Sequence, residues 1–317
     1  MLPASVASGK DRRPTSHAGF NGRSGWVYAM LGPLALLPRR REALACQRNR
    51  LAYTCPNMES PMTSPASSAS TFADDVYLTR LTPDGALAVS PALAELLVSA
   101  RNHCTWRGTP GESQKHLHTL LADTARALAT PKPVALQQLL ARISKWDGGG
   151  KEAAIAAWRD DERAGAVAAL VDLHAGVAVQ QRLLELQALP GIGLVLATKV
   201  YRFVAPQTAA AAERHSTYFT NSLAVRNADG ATEFASHFRR EWASGARAAS
   251  RWAAYGDKDV EVREYLERYL PLLKEIADAQ NTEGLQYTCA ARGVTYAWTP
   301  ADVEMAMYSW WARHGLR

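Results

Sequence analysis

Leu189-Pro190-Gly191-Ile192-Gly193 joins two segments that both carry the pattern of a helix. Upstream, Val179, Leu183 and Leu186 recur at i, i+4 and i+7, which places them on one helix face. Downstream, Leu194 to Val204 runs without a breaker until Pro206. One Pro and two Gly in so short a joint predict a tight helix–turn–helix hairpin. The glycines leave the backbone bare where the second helix begins. Unpaired amide N–H groups at a helix start, together with the positive end of its dipole, suit a phosphate. The strongest signal in the chain is therefore for gripping a nucleic-acid backbone.

Around this joint the chain reads as mainly α. Val76–Leu81 suits a short strand. Ser90-Pro91 pairs an N-cap with a first-turn proline and opens a helix to about Asn102. Helices are predicted over 114–129, 133–146, 151–160, 162–174, Arg214 to Ala224, 231–254 and 258–280, with Pro271 either kinking the last or starting a new one. Leu285–Ala290 and Val294–Trp298 alternate around Arg292-Gly293 and suggest a small β-hairpin. Thr299-Pro300-Ala301-Asp302 opens a final helix ending near His314.

Charge is unevenly placed. Residues 1–57 hold nine basic and two acidic side chains, whereas 58–317 hold 27 Lys/Arg against 28 Asp/Glu. The formal charge of +6 thus comes from the leader. The body is nearly neutral, so any DNA-binding face there must be local. Residues 1–71 read as a disordered leader or an extension ahead of a true start at Met58 or Met62, and 72–317 as the folded domain. Trp26–Leu37 is apolar but too short to span a bilayer, and Arg39-Arg40-Arg41 stands where a signal cleavage site needs small neutral residues. No membrane association is expected. Cys46, Cys55, Cys104 and Cys289 have neither zinc nor iron–sulfur spacing and read as reduced cytoplasmic thiols.

The hairpin, with Ala197 four residues beyond Gly193, resembles the helix–hairpin–helix DNA glycosylases related to endonuclease III. The resemblance covers about 178–224. It implies a two-lobed all-α fold that binds double-stranded DNA through Pro190, Gly191, Ile192 and Gly193, with a monovalent cation at the hairpin and otherwise no cofactor. It also implies a catalytic carboxylate about twenty residues after the second glycine, where this chain has Glu213 in place of the family's Asp. A carboxylate there stabilises an oxocarbenium-like sugar or activates water; the alternative is a helix-start carboxylate. Strand-cutting members carry a nucleophilic Lys two residues after the second glycine; here that residue is Val195, which forms no Schiff base. The resemblance therefore implies a monofunctional N-glycosylase of base-excision repair. Lys199, one turn further on, is read as a phosphate contact.

Other residues weigh less. Gly148-Gly149-Gly150-Lys151 lacks phosphate-loop spacing and reads as a flexible turn. His116 and His118 are two apart and face different ways on a helix. His215 is read as a surface residue, Arg239-Arg240 as a solvated face, and Trp298, Tyr308, Trp310 and Trp311 as core or interlobe packing. A non-enzymatic DNA-binding protein and a helical protein–protein adaptor remain the alternatives.

Overall fold

The computed structural model describes residues 72–81, 87–106, 108–148, 150–235 and 257–314. All belong to the second of two units into which the chain divides, Ser64–Arg317. Readings that fall on 1–71, including the leader, lie outside the described residues, as does Arg239-Arg240.

Helices dominate. Strands β1 (Tyr77–Arg80) and β2 (Leu87–Val89) lead into α1 (Pro91–Asn102), α2 (Pro110–Ala129), α3 (Pro133–Asp147), the short α4 (Glu152–Ala156) and α5 (Asp160–Ala175). The hairpin pair follows as α6 (Val179–Ala188) and α7 (Leu194–Val204), then α8 (Arg214–Ser222) and strands β3 (Ala224–Arg226) and β4 (Thr232–Phe234). After the undescribed segment come α9 (Lys258–Glu264), a π-helical turn (Tyr265–Tyr269), α10 (Leu270–Thr282), the hairpin of β5 (Tyr287–Cys289) and β6 (Val294–Tyr296), and α11 (Pro300–His314).

Local chemistry sets these boundaries. The Ser90 hydroxyl accepts from Leu93 N–H at the start of α1. Thr109 and Glu112 form a reciprocal capping box that starts α2 earlier than its apolar pattern shows. Pro271 stands in the first turn of α10, one of the two places expected for it. A π-helical turn leads directly into that helix, so the proline falls where its missing N–H costs little.

Two expectations are corrected. The helix predicted over 231–254 is wrong at its start, because Thr232–Phe234 is a strand; the remainder from 236 lies outside the described residues. The four-stranded sheet, in order β2-β1-β3-β4, was not expected at all. Strand β3 lies parallel to β1, Leu78 opposite Val225, and antiparallel to β4.

A continuous apolar core runs through the helical body, with Leu93, Leu97, Trp158, Phe219, Tyr265 and Tyr269 fully buried. The C-terminal aromatics join it. Trp310 packs on Phe72 and Phe219, and Trp298 meets Tyr287 edge-on. Arg101 of α1 donates two hydrogen bonds to Asp302 of α11, tying the two helices through a buried ion pair.

Candidate active site beside the hairpin

The hairpin folds as its residues predict. Gly191 adopts φ +84°, and Ile192 N–H donates to Leu189 C=O across the turn. Trp158 Nε1 donates to Pro190 C=O at 2.9 Å and pins the joint to the body. Ile192 is buried, so it anchors the hairpin, while Pro190 and Gly193 are exposed. Gly193 is the N-cap of α7 and supplies no side-chain cap. A Cβ on Gly193 would meet nothing within 4 Å; one on Gly191 would meet Ala154 Cβ at 2.9 Å. The open backbone is therefore at Gly193, and Gly191 turns its bare side toward α4. The same geometry places Lys151, at the start of α4, against the hairpin with its side chain exposed. The stretch read as an indifferent glycine turn thus delivers a cation beside Gly191. The glycines at 148 and 150 take left-handed φ values of 75° and 62°, which turn the chain back from α3 to that place.

From the hairpin, α7 leads inward. Its Thr198 hydroxyl accepts from Ala212 N–H at 2.9 Å. Residues 209–212 are four alanines with no exposed surface. The strap they form is crossed by Tyr265, which donates to Ala210 C=O, and by Tyr269, which donates to Ala211 C=O and to Ser216 Oγ. Side chains larger than a methyl leave no room for those phenols to reach the backbone. The strap ends at Glu213, the N-cap of α8, whose Oε2 accepts from His215 N–H at 3.1 Å. Its Oε1 faces Lys199 Nζ at 3.3 Å.

This overturns the phosphate-contact reading of Lys199. The residue is 4% exposed and turns inward to Glu213, where the outer phosphates of a duplex do not reach. Spacing along the chain does not say whether a residue of α7 turns toward solvent or toward the body. Burial lowers the Lys199 pKa, with Glu213 acting in the opposite sense.

Lys199 and Glu213 line a cavity of about 40 Å³ with Arg202, Glu304, Tyr308 and the paired rings of Trp106 and Trp146. Burial pushes the Glu304 carboxyl up to about 7, against the pull of Arg202 and Lys199. It also lowers Arg202, although Glu304 lies 3.7 Å away. Tyr308 is raised to about 12 by burial, and its ring lies 5.2 Å from that of His215. His215 is half-buried here rather than on the open surface, and desolvation lowers its pKa. Arg202 and Glu304 were missed in the sequence, and Tyr308 was read there only as packing. They sit within a helical register of Lys199 or on α11, over ninety residues from Glu213, and nothing local marks them.

No family model, curated protein or solved structure matches this chain. The site therefore has to be read from its own chemistry. Outside the Trp106–Trp146 pair lies a larger cleft of about 580 Å³, bordered by Glu112, His116, Asp123, Arg142 and Lys145. The two tryptophans belong to both spaces. Among the described residues no group of three or more His, Cys, Asp or Glu is arranged to hold a metal. No described helix is long and apolar enough to cross a membrane. Cys104 and Cys289 are buried free thiols, and His118 Nε2 lies 3.2 Å from Cys289 Sγ.

Proposed function

We propose that this chain binds double-stranded DNA through the 189–193 hairpin and excises a modified base, with Glu213 as the carboxylate that stabilises the sugar cation or orients water. The observation that carries the reading is the course of α7. It starts at an uncapped, exposed turn and, six residues on, about 9 Å along the axis, its Lys199 meets a carboxylate at the end of a buried strap. One rigid helix thus links a backbone grip to a charged cavity. The cavity holds little more than one water. The neighbouring cleft is large enough to admit a nucleobase, and the tryptophans on its border are candidates to stack on an extruded base.

Glu213 acts from a fixed position. Its two oxygens are oriented by a backbone N–H and an ammonium, so its charge needs no rearrangement as the sugar becomes cationic. The test is excision from duplexes carrying uracil, oxidised or alkylated bases, comparing the unmodified chain with Glu213→Gln. Excision by the unmodified chain and its loss in the variant support the assignment; excision that survives in Glu213→Gln refutes it.

A second reading is favoured by Lys199. Val195 lacks an amine, but Lys199 Nζ supplies one at the carboxylate, and burial favours its neutral form. In this reading the neutral amine attacks the sugar C1′ and the base departs with the C1′–N bonding pair and takes up a proton; the new C1′-bound nitrogen loses a proton, and its lone pair then expels O4′, which is protonated as the sugar ring opens to the imine. Borohydride trapping separates the two: an adduct that disappears in Lys199→Gln supports amine chemistry, whereas excision without any adduct supports water.

A further inference from the structure

Away from the hairpin, α1, β2, the end of α10 and the turn after it enclose a groove of about 790 Å³. Val89, Ala94, Val98 and Leu285 give it apolar walls. Gln280 of α10 also lines it, with no exposed surface, and among the described residues neither its amide nitrogen nor its amide oxygen has a hydrogen-bond partner. A buried amide with both groups unanswered costs stability, and an apolar side chain of the same size would avoid that cost. A donor and an acceptor retained together under an apolar groove are suited to a ligand that presents the complementary pair.

The surroundings narrow the ligand. The charged side chains of the described lining are the exposed Glu95 and Glu283; no Lys or Arg is among them. Phosphate is repelled from such a rim, so a nucleic acid is disfavoured, whereas a basic group is attracted. Strand β2 is the edge of its sheet, pairing only with β1 among the described strands. In an extended peptide the N–H and C=O of one residue point the same way, and alternate side chains face the same wall.

We propose that this groove binds an extended, basic peptide segment of a partner protein, one residue of which pairs its backbone N–H and C=O with the Gln280 amide once that side chain, shielded in the free protein, turns into the groove. An apolar side chain of the peptide fills the space between Val89, Val98 and Leu285. A Lys or Arg flanking it meets Glu95 and Glu283. The site stands apart from the hairpin and does not depend on DNA binding.

The test is methyl and side-chain amide NMR of the full chain titrated with acetyl-Lys-Val-methylamide and acetyl-Glu-Val-methylamide. The lysyl peptide is expected to shift the Gln280 amide and the Val89 and Val98 methyls saturably, and to bind at least about tenfold more tightly than the glutamyl peptide, a preference on the scale of an exposed charge reversal. Gln280→Met is expected to abolish those shifts while raising the melting temperature by a few degrees. Should that variant fail to fold, the exposed double change Glu95→Lys/Glu283→Lys provides the same test by inverting the charge preference. Absent shifts, shifts that persist in Gln280→Met, or equal binding of the two peptides would overturn the proposal. Shifts produced by adenine but by neither peptide would overturn the peptide class.

Discussion

At the scale of single residues, the two hairpin glycines have different jobs and different expected variants. Gly191 holds φ +84° with Ala154 Cβ 2.9 Å from where its own Cβ would stand. Gly191→Ala is expected to destabilise the fold by about 1–2 kcal/mol through backbone strain and that close contact, so a loss of DNA binding there is not diagnostic. Gly193 has φ −107° and open space around it. Gly193→Ala is expected to lower the melting temperature by only a few degrees, the cost of replacing a glycine N-cap, while weakening binding to all DNA sequences alike, because under the proposed role its methyl would stand where a phosphate approaches the amides. Fluorescence titration beside a thermal melt distinguishes the two. Glu304 gives a second residue-scale test. Its folded pKa near 7 lies above the unfolded value near 4.5, so the stability it contributes is full below about pH 4.5 and is lost as pH rises through 7. A shift of that size is worth on the order of 3 kcal/mol. Denaturant unfolding at pH 5 and pH 8 is expected to show a drop in the unmodified chain that is reduced by about that amount in Glu304→Gln.

At the scale of elements, the buried tie between α1 and α11 sets the strongest expectation. Asp302→Ala leaves the Arg101 guanidinium buried without its carboxylate, and the expected cost is about 3–5 kcal/mol, read by equilibrium unfolding. The alanine strap is equally sensitive. Ala211→Val forces a branched side chain in beside Tyr269 and is expected to cost about 1–3 kcal/mol. The elements themselves were legible where a chemical stop or start accompanied a helical period. Ser90-Pro91, the hairpin at 189–193 and Thr299–Asp302 all mark real boundaries. The sheet was not legible. Strands β2, β3 and β4 have three residues each, too few for alternation to register, and β3 pairs with a strand nearly 150 residues earlier. The segment from Thr232 misled because a short strand and an amphipathic stretch share composition over so few residues. In the candidate site, Glu213 was singled out through the family resemblance, which implies a carboxylate at that distance from the hairpin. Its partners Lys199, Arg202 and Glu304 could not be assigned, since packing, not spacing, turns them into one cavity.

At the scale of the whole molecule, residues 58–317 carry a net charge near zero, so the expected DNA affinity rests on the hairpin amides and a few local cations. Lys151 is an exposed cation placed against the hairpin. Lys151→Ala is expected to weaken binding on every sequence and to make the slope of log affinity against log salt shallower by about one. The most direct measurement of the central claim is base excision from lesion-bearing duplexes by the full chain and by Glu213→Gln, with the fold of each checked by circular dichroism. The account predicts release of a base by the unmodified chain, leaving an abasic site that alkali cleaves, and near-complete loss of that release in Glu213→Gln with DNA binding largely retained. Undiminished excision by folded Glu213→Gln, or no excision of any uracil, oxidised or alkylated substrate by the unmodified chain, would contradict it.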